Sequence, residues 1–138
     1  SSISNYAGLA YIFIRSGSTW TEQAVLEAPD GGSDDAFGWK VSMSSNGNYV
    51  AISAYGEDGG VGNPTSNSGA AYVFERDGST WSQQTKLTAS DAQAGDRFAS
   101  GIGISGDASY IIVGANDEDG GAGNPAFNAG AAYVYEAG

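Results

Sequence analysis

The side chains able to do chemistry in this 138-residue chain are almost all carboxylates. Sixteen Asp and Glu stand against five Lys and Arg, with no His and no Cys. Without imidazole or thiol, catalysis by a Ser-His-Asp triad, a disulfide framework and a thiolate metal site are all excluded. Two kinds of carboxylate chemistry are left. Asp30 with Asp35, and again Asp91 with Asp96, form pairs that could serve as acid and base on a glycosidic bond. Glu57 with Asp58, and Asp117 with Glu118 and Asp119, are runs of adjacent negative charge that a hard cation such as Ca2+ would relieve. Trp20 and Trp81 add flat apolar surfaces on which a sugar could stack. Each constellation also has a plainer reading: aspartates cap turns, acidic loops are solvated, and tryptophans fill the space between sheets.

The elements that must position these residues are set by a repeat. Gly69-Ala70-Ala71-Tyr72-Val73-Phe74-Glu75-Arg76 is preceded by Gly8-Leu9-Ala10-Tyr11-Ile12-Phe13-Ile14-Arg15 and followed by Gly130-Ala131-Ala132-Tyr133-Val134-Tyr135-Glu136. Tyr11, Tyr72 and Tyr133 are spaced by 61 residues each time, and residues 10–69 match 71–130 at 26 of 60 positions without a gap. A fixed period marks a repeat architecture. Because each carboxylate pair and each tryptophan recurs with the period, a structural role is favoured over catalysis, which does not need one acid pair per repeat. The chain reads as no enzyme.

Within one period the pattern gives four strands. The first, 9–15 and 70–76, is apolar on both faces and so covered on both. The turns Ser16-Gly17-Ser18 and Asp77-Gly78-Ser79 suit a type I′ hairpin. The returning strand, 19–27 and 80–88, is polar enough for an outer, partly solvated position. After the connections 28–36 and 89–97 comes a strand of interleaved small and apolar residues, 37–44 and 98–105. A fourth follows, 49–54 and 110–115, again apolar on both faces. The loops 55–67 and 116–128 share Glu-Asp-Gly-Gly-x-Gly-Asn-Pro, and loops of this length are often functional. No segment has helical periodicity. Four short strands repeated at a fixed period, with both sheet faces apolar, describe propeller blades packed face to face.

Phe37-Gly38, the strand ending at Ala54-Tyr55 and then Gly69-Ala70-Ala71-Tyr72-Val73-Phe74 resemble the FG-GAP repeat of integrin-α-type β-propellers, most closely its bacterial class. Gly78 to Asp91 follows that class's Gly-Ser-Thr-Trp-x-Gln-Gln-x-Lys-Leu-Thr-Ala-Ser-Asp pattern. The second copy departs from it, with Phe98-Ala99 in place of Phe-Gly. The resemblance implies an innermost strand beginning at Phe37 and Phe98. The single repeat region, 1–138, then holds a partial blade (9–27), a complete blade (37–88) and a second partial blade (98–136), too few to close a propeller. Integrin-type blades carry a calcium loop between their first two strands. Here that position holds Ser44–Asn48 or Ser105–Ser109, too short and too poor in carboxylates, so calcium, if bound, falls to Glu57, Asp58, Asp117, Glu118 and Asp119.

A net charge of −11 argues against nucleic acid or an anionic membrane surface as partner. No apolar run is long enough to span a bilayer. The chain opens on Ser1-Ser2-Ile3 and so reads as processed or as an excerpt of something longer. The Cys-free, Lys-poor, Gly-rich composition suits an extracellular or cell-surface location. With apolar end faces uncapped, the expectation is a non-catalytic structural or adhesive module. Its partners would be copies of itself or neighbouring blades, in a larger propeller, a ring or a fibre. A cation-dependent module binding glycan or protein is the alternative.

Overall fold

The structure, a computed structural model, describes residues 7–58, 66–119 and 129–137. Most of the two shared loop motifs, residues 59–64 and 120–125, therefore lies outside the described residues. Nine strands are present among those described: β1 (Ala10–Ser16), β2 (Thr19–Leu26), β3 (Val41–Met43), β4 (Tyr49–Ala54), β5 (Ala70–Asp77), β6 (Thr80–Leu87), β7 (Phe98–Ile104), β8 (Tyr110–Ala115) and β9 (Ala131–Glu136). They form a two-stranded sheet β1-β2, a four-stranded sheet β3-β4-β5-β6 and a three-stranded sheet β7-β8-β9. Every pairing is antiparallel between sequence neighbours, and no described residue is helical. These are blades of a β-propeller type, two 61-residue repeats in all.

The middle sheet is buried on both sides because β4 and β5 are apolar on both. Tyr72 and Phe74 face the first sheet, in a core with Ala10, Ile12, Leu26, Phe37, Val50 and Ile52. Ala71 and Val73 face the third, with Ala89, Phe98, Ala99, Ile111, Val113 and Ala115. Each large side chain so buried contributes roughly 1.5–3 kcal/mol. β2 and β6 carry the mixed exposure of outer strands. Each takes a bulge against its partner at the same repeat position, between Ile12 and Phe13 and between Val73 and Phe74.

Two expectations are corrected. The hairpin turns follow the type II′ pattern: Gly17 and Gly78 have φ of 62° and 64°, while Ser18 and Ser79 are not left-handed. The reason is register. Asp77 pairs with Thr80, so Gly78 is the first central residue of the turn and not the second. The strand expected over 37–44 shrinks to Val41–Met43. Gly38, at φ 90°, and a turn in which the Trp39 N–H donates to the Ala36 carbonyl bend the chain away. In the second copy Phe98 does begin a strand, but its register jumps between Phe98 and Gly101.

The bend seats Phe37 for packing. Its ring meets Tyr72 edge-on at 5.4 Å and Phe74 at 6.1 Å; Phe98 does the same to Tyr133 and Tyr135 at 5.3 and 6.3 Å. The phenylalanine backbone is also the joint between blades. Gly8 and Gly69, at φ 90° and 88°, lie so close to Phe37 and Phe98 that a Cβ on either would stand 2.0 Å from the phenylalanine carbonyl oxygen. The Phe37 N–H donates to the Ala7 carbonyl at 2.9 Å, and the Phe98 N–H to Ser68 at 2.9 Å. Only glycine permits that approach.

Candidate functional site

The carboxylates gather at the joints between sheets, and a lysine from an outer strand ties them together. Lys86 on β6 stands opposite Tyr72 on β5. Its Nζ reaches Asp30 Oδ2 at 2.6 Å, in the connection that follows β2, and Glu57 Oε1 at 3.0 Å, just after β4. Tyr72 Oη donates to the other Asp30 oxygen at 2.8 Å. One ammonium and one phenol thus bind three segments that are far apart in sequence. Glu57 is 1% exposed, and its own backbone closes the loop behind it by accepting the Gly69 N–H at 2.9 Å.

The electrostatics follow from this packing. Partial burial alone would raise the Asp30 pKa, but hydrogen bonds from Lys86 and Tyr72 overcome it and hold the carboxyl below its usual value. For Lys86 burial works downward, and Asp30 and Glu57 outweigh it and raise the pKa. Burial and then the hydrogen bond to Asp30 push the Tyr72 phenol well up. Asp35 is raised by burial, against the N–H of Gly32 on its Oδ2 at 2.6 Å and with the charges of Glu57, Asp58 and Asp30 adding to it. Asp96 repeats this, raised by burial while accepting the Gln93 N–H at 2.7 Å.

The second copy has the same acids and the same tyrosine. Tyr133 Oη donates to Asp91 at 2.8 Å, as Tyr72 does to Asp30. Glu118, 3% exposed, accepts the Gly130 N–H on its backbone carbonyl, as Glu57 does from Gly69. Its Oε1 has no hydrogen-bond partner, and neither has Asp96 Oδ1. One period earlier than Lys86 the chain has Val25, opposite Tyr11. Tyr11 thus stands opposite a valine where Tyr72 stands opposite Lys86.

The acids singled out in the sequence are dispersed. Glu57 is held by Lys86. Asp58 Oδ1 accepts the Asn67 N–H at 2.7 Å, and Asp117 pairs with Arg97 at 3.2 Å. Glu118 is buried, and Asp119 is interaction-bound close by. No group of three or more acidic side chains converges as a metal ligand set among the described residues. Asp35 and Asp96 cap their own turns; Asp30 and Asp91 serve tyrosines instead. The tryptophans differ from each other. Trp81 packs on the first core and donates its indole N–H to Gln23 of the preceding sheet at 2.9 Å, whereas Trp20 is 64% exposed. Between the inner strands the turn 44–48 closes on Asn46 and the turn 105–109 on Asp107. Hydrogen bonds from the Ser109 hydroxyl and N–H, then from Ser105, depress the Asp107 pKa to about 2.

Sequence reasoning missed the Lys86 node. The available signal was a cation at a repeat position otherwise taken by an apolar residue, with the carboxylates around it unchanged between copies.

Blades joined by Gly-on-Phe contacts and by Tyr-to-Asp bonds define a propeller repeat, a class in which the recurring residues build the joints. The FG-GAP repeat family matches residues 20–74 and 81–135, and the chain belongs to it. No curated protein matches the chain.

Proposed function

We propose that this chain is a structural repeat module acting outside the cell through blade-to-blade association. The FG-GAP repeat is a structural repeat family, generally non-catalytic, and its members are commonly extracellular. No helix among the described residues is long and apolar enough to cross a membrane. The observation that carries the reading is a pair of apolar sheet faces that match faces already mated inside the chain. Tyr72 is fully buried against the preceding sheet, while its counterpart Tyr11 is 54% exposed beside Phe13 and Val25. Val73 is buried against the following sheet, while its counterpart Val134 is 66% exposed beside Ile112. The Tyr11 face therefore has the shape and chemistry to receive a Val134 face, giving a head-to-tail contact of the kind that builds rings or fibres.

Light scattering on the 138-residue chain tests this, with assemblies growing with concentration as the expected result. Phe13→Lys and Val134→Lys each disable one face, so either variant alone stays monomeric. Their mixture pairs the remaining good faces and stops at a dimer. A native chain that is a well-folded monomer at micromolar concentration overturns the reading.

A further inference from the structure

A cleft of about 760 Å³ opens between the second and third sheets. One wall is Trp39, Lys40 and Tyr55; the other is Arg97, Ser100 and Asn116. The cleft exists because the repeat is broken there. One period separates Trp39 from Ser100, Lys40 from Gly101, Ser53 from Gly114 and Tyr55 from Asn116. In each pair the third sheet has the smaller residue. The third-sheet wall of the cleft is therefore lined by small side chains and glycine. At Gly101 an added Cβ would meet nothing within 4 Å.

What lines the cleft also departs from the rest of the molecule. Two of the chain's five cations face it, in a protein of net charge −11. Lys40 Nζ lies 5.7 Å from the centre of the Trp39 ring, and the Arg97 guanidinium 5.9 Å from that of Tyr55. Trp39 and Tyr55 meet edge-on at 5.0 Å, which holds the exposed indole in place. Ser100 Oγ is already committed, donating to the Gly114 carbonyl and accepting the Asn116 N–H, and it fixes the glycine floor. Arg97 is paired with Asp117, but both are solvent-accessible, so the pair is weak and can be exchanged.

We propose that this cleft binds an acidic sugar, a pyranose bearing a carboxylate. The C–H face of the ring packs on the electron-rich indole of Trp39. The carboxylate takes the planar fork of Arg97 with Lys40 as a second cation, the geometry in which guanidinium outperforms ammonium. The volume suits a ligand of one to three sugar rings. Asp117 is the internal competitor for Arg97.

The experiment is a titration of the full chain with trigalacturonate, followed by tryptophan fluorescence and calorimetry, beside a neutral trisaccharide and a Glu-rich peptide. Saturable binding of trigalacturonate alone is expected. Arg97→Gln weakens it about tenfold, as loss of a charge-assisted bidentate contact does. Ser100→Trp, which puts a bulky indole on the small-residue wall, abolishes it. Asp117→Asn tightens it several-fold by freeing Arg97, an effect that a purely structural role for the pair would not produce. Circular dichroism melts keep the variants interpretable. The proposal fails if trigalacturonate does not bind at millimolar concentration, if the neutral sugar or the peptide binds equally, or if Ser100→Trp binds unchanged while folded.

Discussion

The two carboxylate nodes hold the same acids and tyrosines in different surroundings. Around Asp30 and Glu57, a lysine and a phenol bind every available charge but one: Glu57 Oε2 alone has no partner. Around Asp91 and Glu118, the phenol bond persists at the same 2.8 Å, yet two buried carboxylate oxygens are orphaned. The position one period after Lys86 would be 147, past residue 138, so the contrast is between a node with its outer strand and one described without it. In a repeat protein the unit of stability is the joint between repeats.

The strongest way to break the comparison is through the glycines that immediately precede β5 and β9. Gly69 is pressed on the Phe98 backbone at φ 88°, whereas Gly130, at φ 76°, has its nearest neighbour 3.5 Å from a would-be Cβ. Gly69→Ala should cost about 4 kcal/mol, from left-handed strain plus a backbone clash. Gly130→Ala should cost about 1 kcal/mol, from strain alone. Urea denaturation of the two variants reads the gap. Equal losses would mean that the joint is no tighter than the open end.

Next in size is the lysine. Lys86→Met keeps the aliphatic stem and strips the charge, leaving Glu57 and Asp30 uncompensated, and should cost about 3 kcal/mol at neutral pH. Glu118→Gln should do the reverse and stabilise by about 1 kcal/mol, since it discharges a buried group with an unpartnered oxygen. If both substitutions shift the melting transition in the same direction, the two nodes are equivalent after all.

That asymmetry is what the sequence could not display. Strands 49–54 and 110–115 were legible to the residue, because consecutive apolar positions between turns admit one reading. The shortened strand at 37–44 was not, since the left-handed bend at Gly38 and the turn closing Trp39 on Ala36 leave no mark on the apolar pattern. The Lys86 node joins residues 56 and 29 positions apart, and no local pattern encodes that meeting. The cleft was half visible. Residues 36–43 and 97–104 share only their phenylalanine, a block of divergence inside a well-matched repeat. Divergence could be seen; that it carved out space could not.

A smaller effect separates the two tyrosines. Tyr72→Phe removes a bond to a partly buried carboxylate and should cost about 2 kcal/mol; Tyr133→Phe, bonded to an exposed Asp91, should cost less. The pH dependence sharpens this. The folded pKa values of Tyr72 and Lys86 are raised above their ordinary 10.0 and 10.5. Each therefore stabilises the fold fully below that ordinary value and loses its contribution as pH climbs through the folded one. Alkaline unfolding should begin above about pH 10, and its slope should be shallower in Tyr72→Phe. An unchanged slope would remove Tyr72 from the alkaline transition.

The smallest effect tests whether the two copies differ in backbone as well as in charge. Gly47 turns the inner hairpin of the second sheet at φ 70°, and one period later Ala108 is forced to φ 61° in the same turn. Alanine pays about 1 kcal/mol or more for the left-handed region, and glycine gives back part of that through the greater freedom of its unfolded chain. Ala108 is half-buried in a polar turn closed by Asp107, so little packing is lost with its methyl. Ala108→Gly should accordingly stabilise by about 0.5 kcal/mol, visible as a small rise in melting temperature. Gly47→Ala should destabilise by a similar amount, because open space around Gly47 leaves strain as the only cost. If Ala108→Gly instead destabilises, the turn's conformation is set by the Asp107 hydrogen bonds so firmly that residue 108 carries no strain, and the two hairpins differ in their side-chain clamps alone.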